Sequence, residues 1–154
     1  MDFNKVKLYY ISYNFYTFSA GLIGLFINLF VLVTSSLLGV IYFNIVYYIG
    51  LEIALFGCSY LIAYVDPKDL YIAGNIIRSI TLLVLLAAAN FVSNIFLFGI
   101  LYGISIGTFW LGNNILTSDI SRGIDRRQFV YRNNLISSVA SFIAPAAGGG
   151  VEVI

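Results

Sequence analysis

The residue best placed to do chemistry in this chain is Glu52, the one charged side chain in the apolar run from Phe43 to Tyr64. A bare carboxylate at the centre of a hydrocarbon layer costs roughly 2.5 kcal/mol or more. Asn44, Tyr48 and Glu52 follow at steps of four, so a helix carrying them shows one polar face for two turns. Three roles are open to Glu52. It stands protonated, it pairs with Arg78 about 6 Å away in depth by helical rise, or it carries protons or substrate. Asn28, Asn113 and Asn114 also lie in apolar surroundings and need hydrogen-bond partners at depth. Bonds between helices and the lining of a water-filled cavity are both compatible with them. Trp110 falls within two turns of the end of its apolar run, where an aromatic ring anchors at an interface or walls a cavity.

The remaining inventory excludes most other chemistry. The chain has no histidine, and its one cysteine, Cys58, sits inside an apolar run. A His/Cys metal site, a His-dependent triad and a disulfide framework are therefore ruled out. No paired intramembrane carboxylates occur, so no catalytic residue and no cofactor is expected, and the chain does not read as an enzyme. With a net charge of +1 and no basic stripe, nucleic acid is not an expected partner.

Composition decides what must hold these residues in place. Hydrophobic residues make up 60% of the 154 and charged residues 10%, against about 25% charged in soluble domains. Mean hydropathy is +0.95. A soluble protein of this length has too much surface to hide so many apolar side chains, so lipid is the expected solvent and partner.

A helix needs about 20 residues to cross hydrocarbon. Five windows qualify: residues 13–33, 43–64, 70–90, 95–117 and 133–154, the last crowded at its end by Gly148, Gly149, Gly150 and Glu152. The runs are continuous rather than alternating, which favours helices over barrel strands. The expected fold is all-α, a polytopic membrane helix bundle in a single transmembrane domain over 1–154. No small-residue cleavage site follows the first run, which reads as a retained span rather than a signal peptide.

The connections 34–42 and 91–94 carry no charge. Those at 65–69 and 118–132 carry Asp66, Lys68, Asp69, Asp119, Arg122, Asp125, Arg126, Arg127 and Arg132. With the N-terminus in the cytoplasm, every Lys and Arg falls on that side, counting Arg78 as close to it. This is the positive-inside pattern of a multi-pass cell-membrane protein.

Small residues mark the seams. Thr17, Gly21, Gly24, Asn28 and Ser35 share one helical face, as do Gly99, Gly103, Gly107, Trp110, Asn114 and Thr117. In lipid, such stripes let helices approach closely. Each helix is expected to show one small-and-polar stripe and one lipid face.

The run Gly103-Ile-Ser-Ile-Gly107-Thr-Phe-Trp110, then Asp119 and Arg126-Arg127, resembles the fourth helix and following loop of major facilitator superfamily transporters. Ala140-Ser-Phe-Ile-Ala144-Pro145-Ala-Ala-Gly148-Gly149 is similar to that family's Gly-x-x-x-Gly-Pro-x-x-Gly-Gly motif, with alanine at two glycine positions. The loop 62–71 keeps only Asp66 of the family's usual Gly-x-x-x-Asp-Arg-x-Gly-Arg-Arg, and Gly99 stands where the family often has an arginine.

The resemblance implies the N-terminal half of the major facilitator fold, an incomplete six-helix half. A missing C-terminal half or a second chain would then be needed. It further implies a secondary active transporter, or a fragment of one, moving a small solute by alternating access. Asn28, Glu52, Trp110, Asn113 and Asn114 would be pathway candidates. Asp66, Arg78, Asp119, Arg126 and Arg127 would be gating and loop candidates, with a hinge at Pro145. The competing expectation is a small non-catalytic membrane scaffold that packs against other helices.

Overall fold

The computed structural model describes residues 3–87, 94–122 and 125–149. They form five helices and, among the described residues, no strand: α1 (Phe3–Thr34), α2 (Leu37–Leu61), α3 (Pro67–Ala87), α4 (Ile95–Ile120) and α5 (Arg126–Gly149). Each expected window overlaps a helix, with boundaries that shift for local reasons. Helix α2 starts six residues before the expected Phe43 because Ser36 caps it, its hydroxyl accepting from the Gly39 N–H at 3.2 Å. Asp66 opens α3 in the same way, accepting from the Lys68 N–H at 2.9 Å, and Pro67 follows at the first helical position, where a missing N–H costs nothing. Asp125 caps α5 through the N–H groups of Arg127 and Gln128 at 3.1 and 3.3 Å, so α5 begins seven residues before Asn133.

Among the described residues three helices, rather than the five expected, are long and apolar enough to cross a membrane: α1 from Val6 to Thr34, α2, and α4. The described part of α3 carries Lys68 and Asp69 in its first turn and Arg78 at its middle. Helix α5 opens on Arg126 and Arg127 and continues through Arg132, Asn133 and Asn134. The outer part of the fifth window, residues 150–154, lies outside the described residues, as do residues 88–90 of the third.

The chain divides into two compact units, one of residues 1–30 with 119–154 and the other of residues 31–118. In the first, α1 packs on α5. The Tyr10 hydroxyl donates to the Phe129 carbonyl at 3.3 Å, and further along α1 Gly21 meets Ser141 and Ala144. Residue numbers rise together on both sides, so the two helices run parallel. Tyr9 packs on Phe129 with ring centres 5.9 Å apart, and Tyr9, Phe129 and Ala144 are buried.

In the second unit α4 is central, flanked by α2 and α3. Gly99 faces Phe43 and Val46, Gly103 faces Tyr47 and Leu51, and Gly107 faces Leu51 and Ala54, giving a parallel α2–α4 seam. On its other side, Phe109 of α4 lies against Gly74, and Gly112 lies against Pro67 and Tyr71, so α3 runs antiparallel to α4. Phe109, 1% exposed, is the largest fully buried side chain.

Candidate functional site

Helix α4 approaches α2 more closely than side chains of ordinary size allow. A β-carbon at Gly103 would collide with the Tyr47 carbonyl oxygen, and one at Gly107 would sit 2.6 Å from the Leu51 oxygen. Both obstacles are backbone, so only glycine fits there. Next along the seam, the Cys58 sulfur lies 3.6 Å from the Thr108 hydroxyl, and both residues are buried. The hydroxyls inside α4 are satisfied by their own helix: Ser105 donates to the Tyr102 carbonyl at 2.6 Å and Thr108 to that of Ile104 at 2.8 Å. The expectation of one packing stripe and one lipid face therefore changes for α4. It packs on two faces, with glycines toward α2 and with Phe109 and Gly112 toward α3.

The same unit holds a buried cation. Arg78 of α3 is 4% exposed, and its guanidinium carbon lies 5.8 Å from the centre of the Tyr102 ring on α4. Tyr102 in turn contacts Tyr47 of α2, with ring centres 5.6 Å apart, and Tyr47 meets Tyr48 edge-on at 4.9 Å. One arginine and three tyrosines thus connect three helices. An aromatic face is a favourable neighbour for a guanidinium withdrawn from water. Sequence reading missed this cluster because Tyr47 and Tyr102 belong to apolar runs with many other aromatics. An isolated arginine in such a run was the one available signal.

Glu52 is exposed on α2 and makes no hydrogen bond or ion pair among the described residues. It does not pair with Arg78, which is buried against the Tyr102 ring. Asn113 is 3% exposed, while its neighbour Asn114 is exposed and Trp110 is 39% exposed on the same helix. Adjacent positions on a helix point about 100° apart, so the pair divides between core and surface. Asn28 is exposed on α1, its amide donating to the Gly24 carbonyl at 3.3 Å, and Gly24 has open space around it.

The unit formed by α1 and α5 holds a second polar seam. Between the Tyr10–Phe129 and Gly21–Ala144 contacts lie Asn14 and Thr17 on α1 and Asn133 and Ser137 on α5. Asn133 is 6% exposed, and its side-chain oxygen, like that of Asn14, is buried without a hydrogen-bond donor. This arrangement went unrecognised in the sequence because Asn133 sits at the edge of the fifth apolar window.

The remaining expected positions have local roles. Asp66 is the cap of α3 described above. Asp119 and Arg122 form an exposed ion pair at 3.4 Å, and Arg126 and Arg127 are exposed in the first turn of α5. Exposed pairs of this kind contribute little to stability. Ala144 is fully buried against Gly21, and Ala140 is half-buried on the same helix. The side chain of Pro145 and the surroundings of Gly148 and Gly149 lie outside the described residues. A shallow apolar depression of 480 Å³ between Ser35 and Ile95 contains none of the expected site residues. Among the described residues no group of three His, Cys, Asp or Glu side chains comes together to hold a metal.

Comparison with family models, with curated proteins and with solved structures finds no match.

Proposed function

We propose that the chain is a multi-pass membrane protein with its N-terminus in the cytoplasm. We further propose that it forms five helices of an inverted three-plus-three repeat, belonging to a secondary transporter for a small solute. One observation carries this reading: the pairing of the seams. In an inverted three-helix repeat, α1 corresponds to α4 and α2 to α5. Exchanging partners by that rule turns an α1–α5 contact into an α4–α2 contact. These are the two parallel glycine seams of the two units, Gly21 on Ala144 and Gly103 on Tyr47 and Leu51.

Two further features agree with it. Helix α3 runs antiparallel to α4 while α2 runs parallel to it, the order that successive crossings of a layer produce. Among the described residues large exposed hydrophobics outnumber buried ones, whereas Arg78, Thr81, Ser105, Thr108 and Asn113 are inside. Water would penalise that distribution, and lipid would not. The reading requires a sixth helix and a second half from further chain or from a partner polypeptide. In it, Asn28, Trp110 and Asn114 are the pathway candidates, because each presents polar or aromatic atoms at its helix surface. Asn113 becomes a structural residue.

The test uses single cysteines at positions 28 and 114 in a Cys58→Ala background of the complete protein, labelled with a membrane-impermeant maleimide from each side. A transporter exposes both positions to water, and added solute shifts labelling from one side to the other. Asn28→Ala and Asn114→Ala should each impair uptake into vesicles. Both positions inert from either side, with uptake unchanged, would reject the lining assignment and favour the scaffold.

A further inference from the structure

We propose that the outward face of α2 around Glu52 is the docking surface for an apolar membrane helix of the partner region, one carrying an arginine at the depth of Glu52. The inference rests on the membrane reading above and adds to it the chemistry of the partner.

Glu52 interrupts a continuous exposed apolar surface made by Ile41, Ile45, Ile49, Ile53 and Phe56. Ionisable residues in membrane helices face the bundle interior or a water-filled cavity and pair with one another, because hydrocarbon gives an exposed carboxylate nothing in exchange for its water. Among the described residues nothing serves it. Arg78, the cation of α3 beyond its first turn, is buried beneath Tyr102, and Lys68 stands in that first turn. The face is therefore complete in shape and incomplete in charge.

A second copy meeting it through the same face does not complete it. Two α2 helices meeting through this face would bring two carboxylates together, and α2 carries no basic residue. The partner must bring positive charge.

The surroundings favour arginine over lysine. Tyr48, 60% exposed, lies one turn before Glu52 on the same face, and its ring is braced edge-on by Tyr47. An aromatic ring one turn from a carboxylate matches a planar guanidinium, which stacks on the ring while bonding the carboxylate in bidentate fashion. A lysine ammonium uses only the charge.

The experiment places photoreactive benzoylphenylalanine at Ile45 or Ile49 in the complete protein in its own membranes, with cross-linked peptides mapped by mass spectrometry. The expected adduct is an apolar span containing an arginine. Its yield should fall at least tenfold in both Glu52→Gln and Glu52→Leu. Glu52→Arg should abolish it, and changing the mapped arginine to glutamate should restore it. Cys58 must remain protected from maleimide in every variant, which shows that the α2–α4 seam is intact. An adduct indifferent to Glu52, an adduct to a second copy, or adducts to lipid alone on a chain that resists carbonate extraction would each overturn the docking surface and leave the membrane reading standing. A chain released by carbonate would overturn both.

Discussion

Replacing Gly103 by valine tests whether the α2–α4 seam holds its unit together. A β-carbon at this position meets the Tyr47 carbonyl oxygen and lies 2.8 Å from the Leu51 nitrogen. Both atoms belong to the backbone of α2, so neither yields by a change of rotamer. Relief requires the two helices to part by roughly an ångström, and gaps of about that size forfeit a quarter to a half of each contact's attraction. The loss extends along the seam through Gly107, Ala54 and Cys58. Overpacking of this kind costs about 2–3 kcal/mol, which is on the order of 30-fold to 150-fold in the equilibrium for opening.

Cys58 reports that opening directly. It is the one cysteine of the chain, it is 8% exposed, and it lies 3.6 Å from Thr108 in the same seam. The rate of maleimide labelling in mild detergent should rise on the order of 30-fold or more in Gly103→Val. Gly57→Ala is the control, being adjacent to Cys58 with nothing within 4 Å of the added carbon. Its labelling should match the parent or be slower, since alanine favours the helix by up to about 1 kcal/mol. Labelling of Gly103→Val at the parental rate would refute the view that close backbone approach stabilises this unit.

Three other perturbations probe separate parts of the fold. Phe109→Ala removes the most enclosed ring of the second unit and should cost about 3–5 kcal/mol; a lowered thermal midpoint, followed by the fluorescence of the single tryptophan Trp110 next to it, would register the loss. Asp125→Ala takes the cap from α5 and should cost about 1 kcal/mol, whereas Asp125→Asn retains it; faster hydrogen exchange at the Arg127 and Gln128 amides in the alanine variant alone is the expected result. Asn133→Leu replaces a buried oxygen that has no donor and should leave the thermal midpoint unchanged or raised, whereas Asn133→Asp should lower it by the equivalent of about 2 kcal/mol or more. A destabilised leucine variant would mean that the Asn133 oxygen has a partner in solution.

The amino-acid sequence by itself determined the helical elements. Continuous apolar runs of span length admit one regular structure, and the charged connections bound them. It also marked the glycines of α4 as a seam, since small residues at steps of four have few other uses in such a helix. Partner choice lay outside its reach. Nothing local distinguishes Gly103 meeting Tyr47 of α2 from Gly103 meeting any other helix, because the collision that demands glycine comes from a residue more than fifty positions away. The same holds for Glu52 and Arg78. Helical rise places them at similar depth, but rotation about each axis and the intervening Tyr102 decide that one is exposed and the other buried. Asn113 and Asn114 are equivalent as letters. Only tertiary packing buries the first and leaves the second at the surface. Periodicity states that a face exists; tertiary contact, through backbone carbonyls and large rings brought together from distant segments, decides what that face meets.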